Sequence, residues 1–226
     1  MDIEILYEDK YIIVIVKPPK IPVQPDKTGD NDITKELLKH IENTEKNPYI
    51  GILHRLDRPV GGVMVFAKDK KTEAIMSKDI SNNRFEKYYY AITCGKPNIE
   101  SGRIENYLVK NSKINKSFIV NDENYKGAKK AILDYKVLNT VNDEKYGLLS
   151  LVSIKLITGR HHQIRVQLSN AGFPLWGDNK YNEMFNKKGG WTQISLWAYK
   201  LKFFHPKTKK IMTFEKKTEI YPFNIF

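Results

Sequence analysis

The sequence predicts an α+β fold with mostly antiparallel strands rather than a doubly wound sheet. Three observations carry this. Strand-like segments outnumber helical ones. Neighbouring apolar runs are joined by short turns that suit antiparallel pairs rather than crossover helices. No Pro/Gly/Ser-rich linker divides the 226 residues, so one domain over 1–226 is the economical organisation.

The elements follow in order. Residues 3–7 (IEILY) and Tyr11–Val16 read as two strands about the turn Glu8-Asp9-Lys10. Lys17-Pro18-Pro19 ends the second, and Pro22 and Pro25 keep the next segment irregular. Asn31 or Asp32 caps a helix with Ile33, Leu37, Leu38 and Ile41 at helical spacing, and a polar linker from Asn43 to Tyr49 follows. Val63–Ala67 is short and apolar enough to be one buried strand. Asp69 starts a helix with Ala74, Ile75 and Ile80 inward. Phe85–Thr93 is aromatic and β-prone, Gly95-Lys96-Pro97-Asn98 turns the chain, and Arg103–Val109 returns as its partner. Asn111–Lys130 is lysine-rich and reads as an exposed excursion. Ala131–Val141 and Leu148–Ile157 make the clearest hairpin, a helix spans Arg160 to Asn170, and Ile194–Phe204 pairs with Ile211–Glu215.

Composition narrows the function classes. Mean hydropathy is negative and no run of roughly 18 apolar residues appears, which argues against a membrane-embedded chain. The N-terminus is acidic and lacks a basic n-region, so it does not read as a signal peptide. A single cysteine, Cys94, cannot form an intrachain disulfide and fits the reducing cytoplasm. The net charge of +12 is either a lysine-rich solvated surface or the footprint of a polyanionic partner.

The stretch GILHRLDRPVGGVMVFAK, residues 51–68, carries the sharpest chemical signal. Asp57 stands between Arg55 and Arg58, behind His54 and just before a breaker run that leads into core. A nucleophilic carboxylate has to stay ionised; burial opposes this and a nearby guanidinium restores it. Arg165, at the border of the Ile164/Leu168/Ala171 stripe, is a half-buried arginine that needs an acid, and both Asp57 and Asp178 qualify. His161 and His162 lack the partners and spacing of a metal site, so no metal is expected. The basic turn Arg160-His161-His162 suits phosphate instead. In Lys87-Tyr88-Tyr89-Tyr90-Ala91 the alternation points Tyr89 away from Tyr88 and Tyr90. No dinucleotide, P-loop or G-x-S-x-G signature is present.

Together these stretches resemble the RluA-type family of RNA pseudouridine synthases. His54-Arg55-Leu56-Asp57 with Gly62 and an apolar strand is similar to its nucleophile motif. Lys87-x-Tyr89-x-Ala91 is similar to its second, and Thr158-Gly159-Arg160-x-His162-Gln163-Ile164-Arg165 with Gly177-Asp178 and Tyr181 to its third. The resemblance implies the pseudouridine synthase fold: a large mixed, mostly antiparallel sheet flanked by helices and loops, with an RNA-binding cleft across the sheet. It implies catalytic roles for Asp57, for Arg165 as its ion-pair partner, and for Tyr89 as the ring stacked on the target uracil. Arg55 would take the place of the flipped-out uridine, with His54, Arg160, His162 and Gln163 also on the RNA.

The expected reaction isomerises uridine to pseudouridine in structured ribosomal or transfer RNA, with no cofactor and no metal. The enzyme is expected to be a cytoplasmic monomer and a stand-alone catalytic domain without the small S4-type domain of many relatives. A catalytically silent RNA-binding protein on the same fold is the alternative. A glycoside hydrolase would need a second carboxylate flanking the bond, and only Asp178 offers one. The chain departs from the family pattern at Val60-Gly61, at His161 (commonly Thr or Ser), at Gln167 (His in the family's Q-I-R-x-H) and at Lys20-Ile21, where a glycine is common.

Overall fold

The computed structural model describes residues 3–26, 29–42, 47–186 and 192–226. The chain forms two compact units, one from Met1–Glu86 with Ala198–Lys217, the other from Lys87–Trp197 with Thr218–Phe226. Both are built on antiparallel strands with few helices, which makes the fold class α+β.

The first unit holds β1 (Glu4–Glu8), β2 (Ile12–Lys17), β3 (Gly51–Ile52), β4 (Gly61–Ala67), the later part of β10 (Leu196–Phe204) and β11 (Ile211–Glu215). They pair in the order β1-β2-β4-β10, with β3 beside β4 and β11 beside β10. Every residue of β2 and β4 is buried, so both faces of these strands are covered and their sequences run apolar without alternation. The core joins Ile12, Val14, Val63, Val65, Leu201 and Phe203 to Met76 and Phe85.

Asp9 makes the first turn: its Oδ1 accepts from the amides of Tyr11 (2.7 Å) and Ile12 (2.8 Å). Helix α1 (Ile33–Glu42) is capped by Asp32, which accepts from the Lys35 amide at 3.1 Å, and buries Ile33, Leu37 and Ile41. Helix α2 (Lys70–Ser81) starts at Asp69, which accepts from the Thr72 amide at 2.8 Å. Its inward face is Thr72 and Met76; Ala74, expected inward, is exposed, because the larger Met76 takes the place facing the strands. Of the linker expected over 43–49, residues 43–46 lie outside the described residues.

The second unit orders β5 (Phe85–Cys94, which starts in the first unit), β6 (Ser101–Asn111), β7 (Lys116–Val120), β8 (Lys129–Asp143) and β9 (Gly147–Leu156) as β5-β9-β8-β6-β7. The β8–β9 hairpin is as expected, with a register shift between Val137 and Asn139. Two expectations are corrected. Strand β6 pairs with β8 and β7 rather than with β5, whose partner here is β9. The supposed excursion over 111–130 contains β7, in which Ser117 is 2% exposed. The alternation Lys116-Ser117-Phe118 hid a buried hydroxyl among lysines, so the strand showed no apolar period. Helices α3 (Gln163–Asn170) and α4 (Glu183–Asn186) complete the unit. Helix α3 begins three residues later than expected, because His162 has φ +54 and ends the preceding turn in the left-handed region.

Candidate active site

In the first unit, Asp57 lies on the loop between β3 and β4. Its carbonyl accepts from the Val60 amide at 2.9 Å, closing a turn with Arg58-Pro59 at the corners. Leu56 (6% exposed) and Val60 (2%) anchor the two ends, so the half-buried Asp57 and exposed Arg55 are held by buried neighbours on either side. Behind the loop, His54 Nε2 accepts from the Val65 amide at 3.3 Å and its ring lies 5.3 Å from that of Phe85. His54 therefore props the loop against β4. Gly62, the second residue of β4, has φ +128, and a Cβ there would come within 2.2 Å of the Ala198 carbonyl oxygen, so only glycine fits.

Arg58, to which the sequence assigned no role, straps this loop to the one after β2. Its Nε donates to the Lys20 carbonyl (2.9 Å), Nη1 to Asp26 (3.3 Å) and Nη2 to the Asp30 carboxylate. Lys20 itself has φ +71, which explains physically why a glycine suits that position.

Lys17, at the end of β2 and opposite Gly62 on β4, is fully buried. Its Nζ donates to the carbonyls of Pro18 (2.9 Å) and Arg58 (3.2 Å). Burial pushes the amine down to about 7; the Asp57 carboxylate pulls it up and the Arg58 guanidinium pushes it down. Sequence reading missed Lys17. The available signal was a charged residue closing an otherwise wholly apolar strand.

In the second unit, Arg165 is 4% exposed and forms a bidentate pair with Asp178, Nε to Oδ2 at 2.8 Å and Nη2 to Oδ1 at 2.6 Å. Of the two acids considered for Arg165, Asp178 thus occupies one side of the guanidinium fork. Asp178 also accepts from the amides of Lys180 (2.9 Å) and Tyr181 (3.2 Å), and the Tyr181 ring sits 5.3 Å from the guanidinium carbon. Gly177 before it has φ +77, and a Cβ there would meet the Gln193 carbonyl oxygen at 2.3 Å.

Tyr89, on β5 opposite Ile154 of β9, is 5% exposed, whereas Tyr88 and Tyr90 are half-buried, as the alternation required. Lys87, on the same face, is 9% exposed; burial and the Arg160 charge hold its amine below the usual lysine value.

The turn before α3 is held by Gln163. Its Oε1 accepts from Thr158 Oγ1 (2.8 Å) and the Arg160 amide (3.0 Å), and its Nε2 donates to the Ile132 carbonyl (3.0 Å). At 2% exposure its side-chain amide is committed to this turn. His162 is also enclosed, 7% exposed, and its Nδ1 meets the Tyr181 hydroxyl at 2.9 Å. That hydroxyl accepts from the Ser117 amide at 2.7 Å, which leaves its proton to donate to His162. Burial first, then the charges of Arg165, His161, Lys180 and Lys110, push His162 down to about 2. The adjacent histidines stack at 3.8 Å instead of diverging as they would on a helix. Arg160 is exposed, its Nε donating to the Lys130 carbonyl at 2.9 Å. Among the described residues no group of three or more His, Cys, Asp or Glu could hold a metal ion, and no helix is long and apolar enough to cross a membrane.

A family model of RNA pseudouridylate synthases matches residues 11–170, a span that includes the Asp57 loop, Tyr89 and Arg165. The chain belongs to that family. As an RNA pseudouridine synthase it is an isomerase that acts on RNA, and the RluA-type resemblance holds across the chain. It is 32% identical to the ribosomal large subunit pseudouridine synthase D of Borreliella burgdorferi, over 99% of this chain and 69% of that protein. An uncharacterised RNA pseudouridine synthase of Mycoplasma genitalium is 33% identical over 97% and 68%. Among solved structures, human RNA pseudouridylate synthase domain containing 4 matches with a TM-score of 0.78 and 25% identity, covering 96% of this chain and 89% of that one.

Proposed function

We propose that this synthase converts uridine to pseudouridine in ribosomal or transfer RNA, with Asp57 as the catalytic aspartate and no cofactor. The observation that carries the reading is the anchored turn at Asp57, whose carboxylate sits between buried Leu56 and Val60 and favours the charged form of the fully buried Lys17. Ribosomal RNA is favoured between the two substrates because relatives that match nearly the whole chain are ribosomal large subunit pseudouridine synthases.

The reaction breaks the C1′–N1 bond, turns the base and joins C1′ to C5. The C5 hydrogen leaves as a proton and N1 gains one, so no electrons are exchanged and no redox partner is required. Asp57 serves by attack on the ribose, by attack on the base or by assisting a glycal intermediate. Arg165, with Nε and Nη2 committed to Asp178, is the proposed ion-pair partner of Asp57. Tyr89 stacks on the target uracil and Arg55 replaces it in the stack. Arg160 takes phosphate, while His162, Gln163 and His54 support these groups from behind. The proposed organisation is one catalytic domain over 1–226, because the family's motifs follow in order along the chain without an intervening linker. Extruding the base costs a few kcal/mol, offset by stacking and by phosphate contacts.

RNA carrying tritium at uridine C5 tests the reading. Wild-type protein releases the label, and Asp57→Asn binds the RNA but releases none. Full release by Asp57→Asn ends the nucleophile assignment, and retention of label by the wild type identifies an RNA-binding protein without activity.

A further inference from the structure

The turn of the β8–β9 hairpin and the segment 218–226 enclose a groove of about 600 Å³ that the proposed reaction does not use. Tyr146, Tyr221 and Ile225 supply its apolar walls, and Asp143, Glu144 and Lys145 its charges. Leu149, just after the turn, pairs with Cys94, about 17 Å along β5 from Tyr89, so this end of the strands is remote from the ring assigned to the uridine. The two tyrosines are fixed yet accessible. Each meets Trp176 edge-on at 5.4 Å between ring centres, and Tyr146 also stacks on Phe185 at 5.6 Å. Tyr221 still keeps 44% of its surface exposed. Burial first, then the Asp143 charge, raise its hydroxyl above the ordinary tyrosine value, so the phenol stays neutral. Lys145 Nζ lies 5.4 Å from the centre of the Tyr146 ring, so the groove's own lysine shows that a cation seats there.

The charges choose the occupant. Asp143 Oδ1 is committed to the amides of Lys145 (2.9 Å) and Tyr146 (2.8 Å). Glu144 is exposed and makes no hydrogen bond or ion pair among the described residues. In a chain of net charge +12, two carboxylates at one groove turn phosphate away locally and favour a cation. A guanidinium suits both kinds of wall: it lies flat on aromatic faces and gives a carboxylate two parallel N–H donors, whereas an ammonium is a point charge. The volume exceeds one side chain and leaves room for the residues flanking it.

We propose that this groove docks an arginine of a basic protein segment, its guanidinium laid over Tyr146 and Tyr221 in place of Lys145 and paired with Glu144. Segments of this kind are carried by proteins that themselves bind nucleic acid.

A capped peptide of alternating arginine and glycine, titrated into the full chain and followed by amide NMR shifts, tests it. Shifts are expected at residues 142–146 and at Tyr221, with a Kd below about 1 mM. Glu144→Gln is expected to weaken binding about threefold or more, and Lys145→Met, which clears the ring and removes a like charge, to tighten it about twofold or more. Both residues are exposed, so neither change threatens the fold. The same peptide with lysine for arginine is expected to bind more weakly. No shift at about 1 mM peptide, shifts confined to other residues, equal binding by wild type and Glu144→Gln, or equal affinity for the lysine peptide overturns the proposal. So does a uridine-rich RNA oligomer that shifts the same residues more strongly than the peptide, which gives the groove to nucleic acid. Shifts there that depend on protein concentration alone give it to a second copy of the chain, and overturn the proposal equally.

Discussion

Lys20 shows how one dihedral angle constrains the loop around the proposed nucleophile. A lysine at φ +71 pays roughly 1–2 kcal/mol in left-handed strain. The conformation persists because the Arg58 guanidinium holds the Lys20 carbonyl at 2.9 Å while engaging Asp26 and Asp30. Lys20→Gly relieves that strain, less the greater chain entropy of glycine, and is expected to stabilise the protein by about 0.5–1 kcal/mol. Urea midpoints measure it, and a lower midpoint than wild type would show that the lysine side chain contributes more than its backbone costs. At the same scale, Lys17 and Arg58 exchange the parts that their sequence positions suggest. The strand lysine is the deep cation and the loop arginine is the external strap.

Among the elements, the join of β7 to the turn before α3 has a titration built into it. Ser117 Oγ meets His161 Nδ1 at 2.9 Å, its amide donates to Tyr181, and Tyr181 meets His162. His162 is held down to about 2 from its ordinary 6.5, chiefly by burial. The unfolded chain therefore binds a proton between these values that the folded chain does not. Stability is full above pH 6.5 and declines as the pH falls toward 2, at up to about 1.4 kcal/mol per pH unit for one proton. His162→Asn keeps an amide beside Tyr181 and a residue tolerant of the left-handed region. It should flatten the fall in urea midpoint between pH 6.5 and 4.5 relative to wild type. Parallel curves for the two proteins would assign the acid sensitivity elsewhere.

For the molecule as a whole, the relevant quantity is the charge of +12 carried on 38 basic and 26 acidic residues. Many of the basic groups are engaged with surface acids, as in Lys130–Glu105, Arg103–Asp134 and Lys200–Glu215. Such exposed pairs contribute only about 0–1 kcal/mol to stability and yield readily to a polyanion. RNA binding should weaken linearly on a log–log plot against salt. Arg160→Gln should lower the slope by roughly one contact, or 0.7–0.9, with similar loss for all RNA sequences. An unchanged slope would remove Arg160 from the phosphate-contacting set.

Sequence alone determined the α+β class, the β8–β9 and β10–β11 hairpins, the outward alternation about Tyr89 and the family, because each rests on local period or on motif order. Asp178 was legible only as one of two acids for Arg165, and the structure shows the bidentate pair. Tertiary structure decided the rest. The partner of β6, the strand within 111–130, the late start of α3 and the inward turn of Gln163 depend on contacts that local period does not encode, such as Ser101 beside Lys136 and Gln163 Nε2 on the Ile132 carbonyl. Lys17 is the clearest case. A lysine at the end of an apolar strand is ordinarily solvated, and only the pairing of β2 with β4 beneath the Asp57 turn buries its charge and gives it two carbonyls to hold.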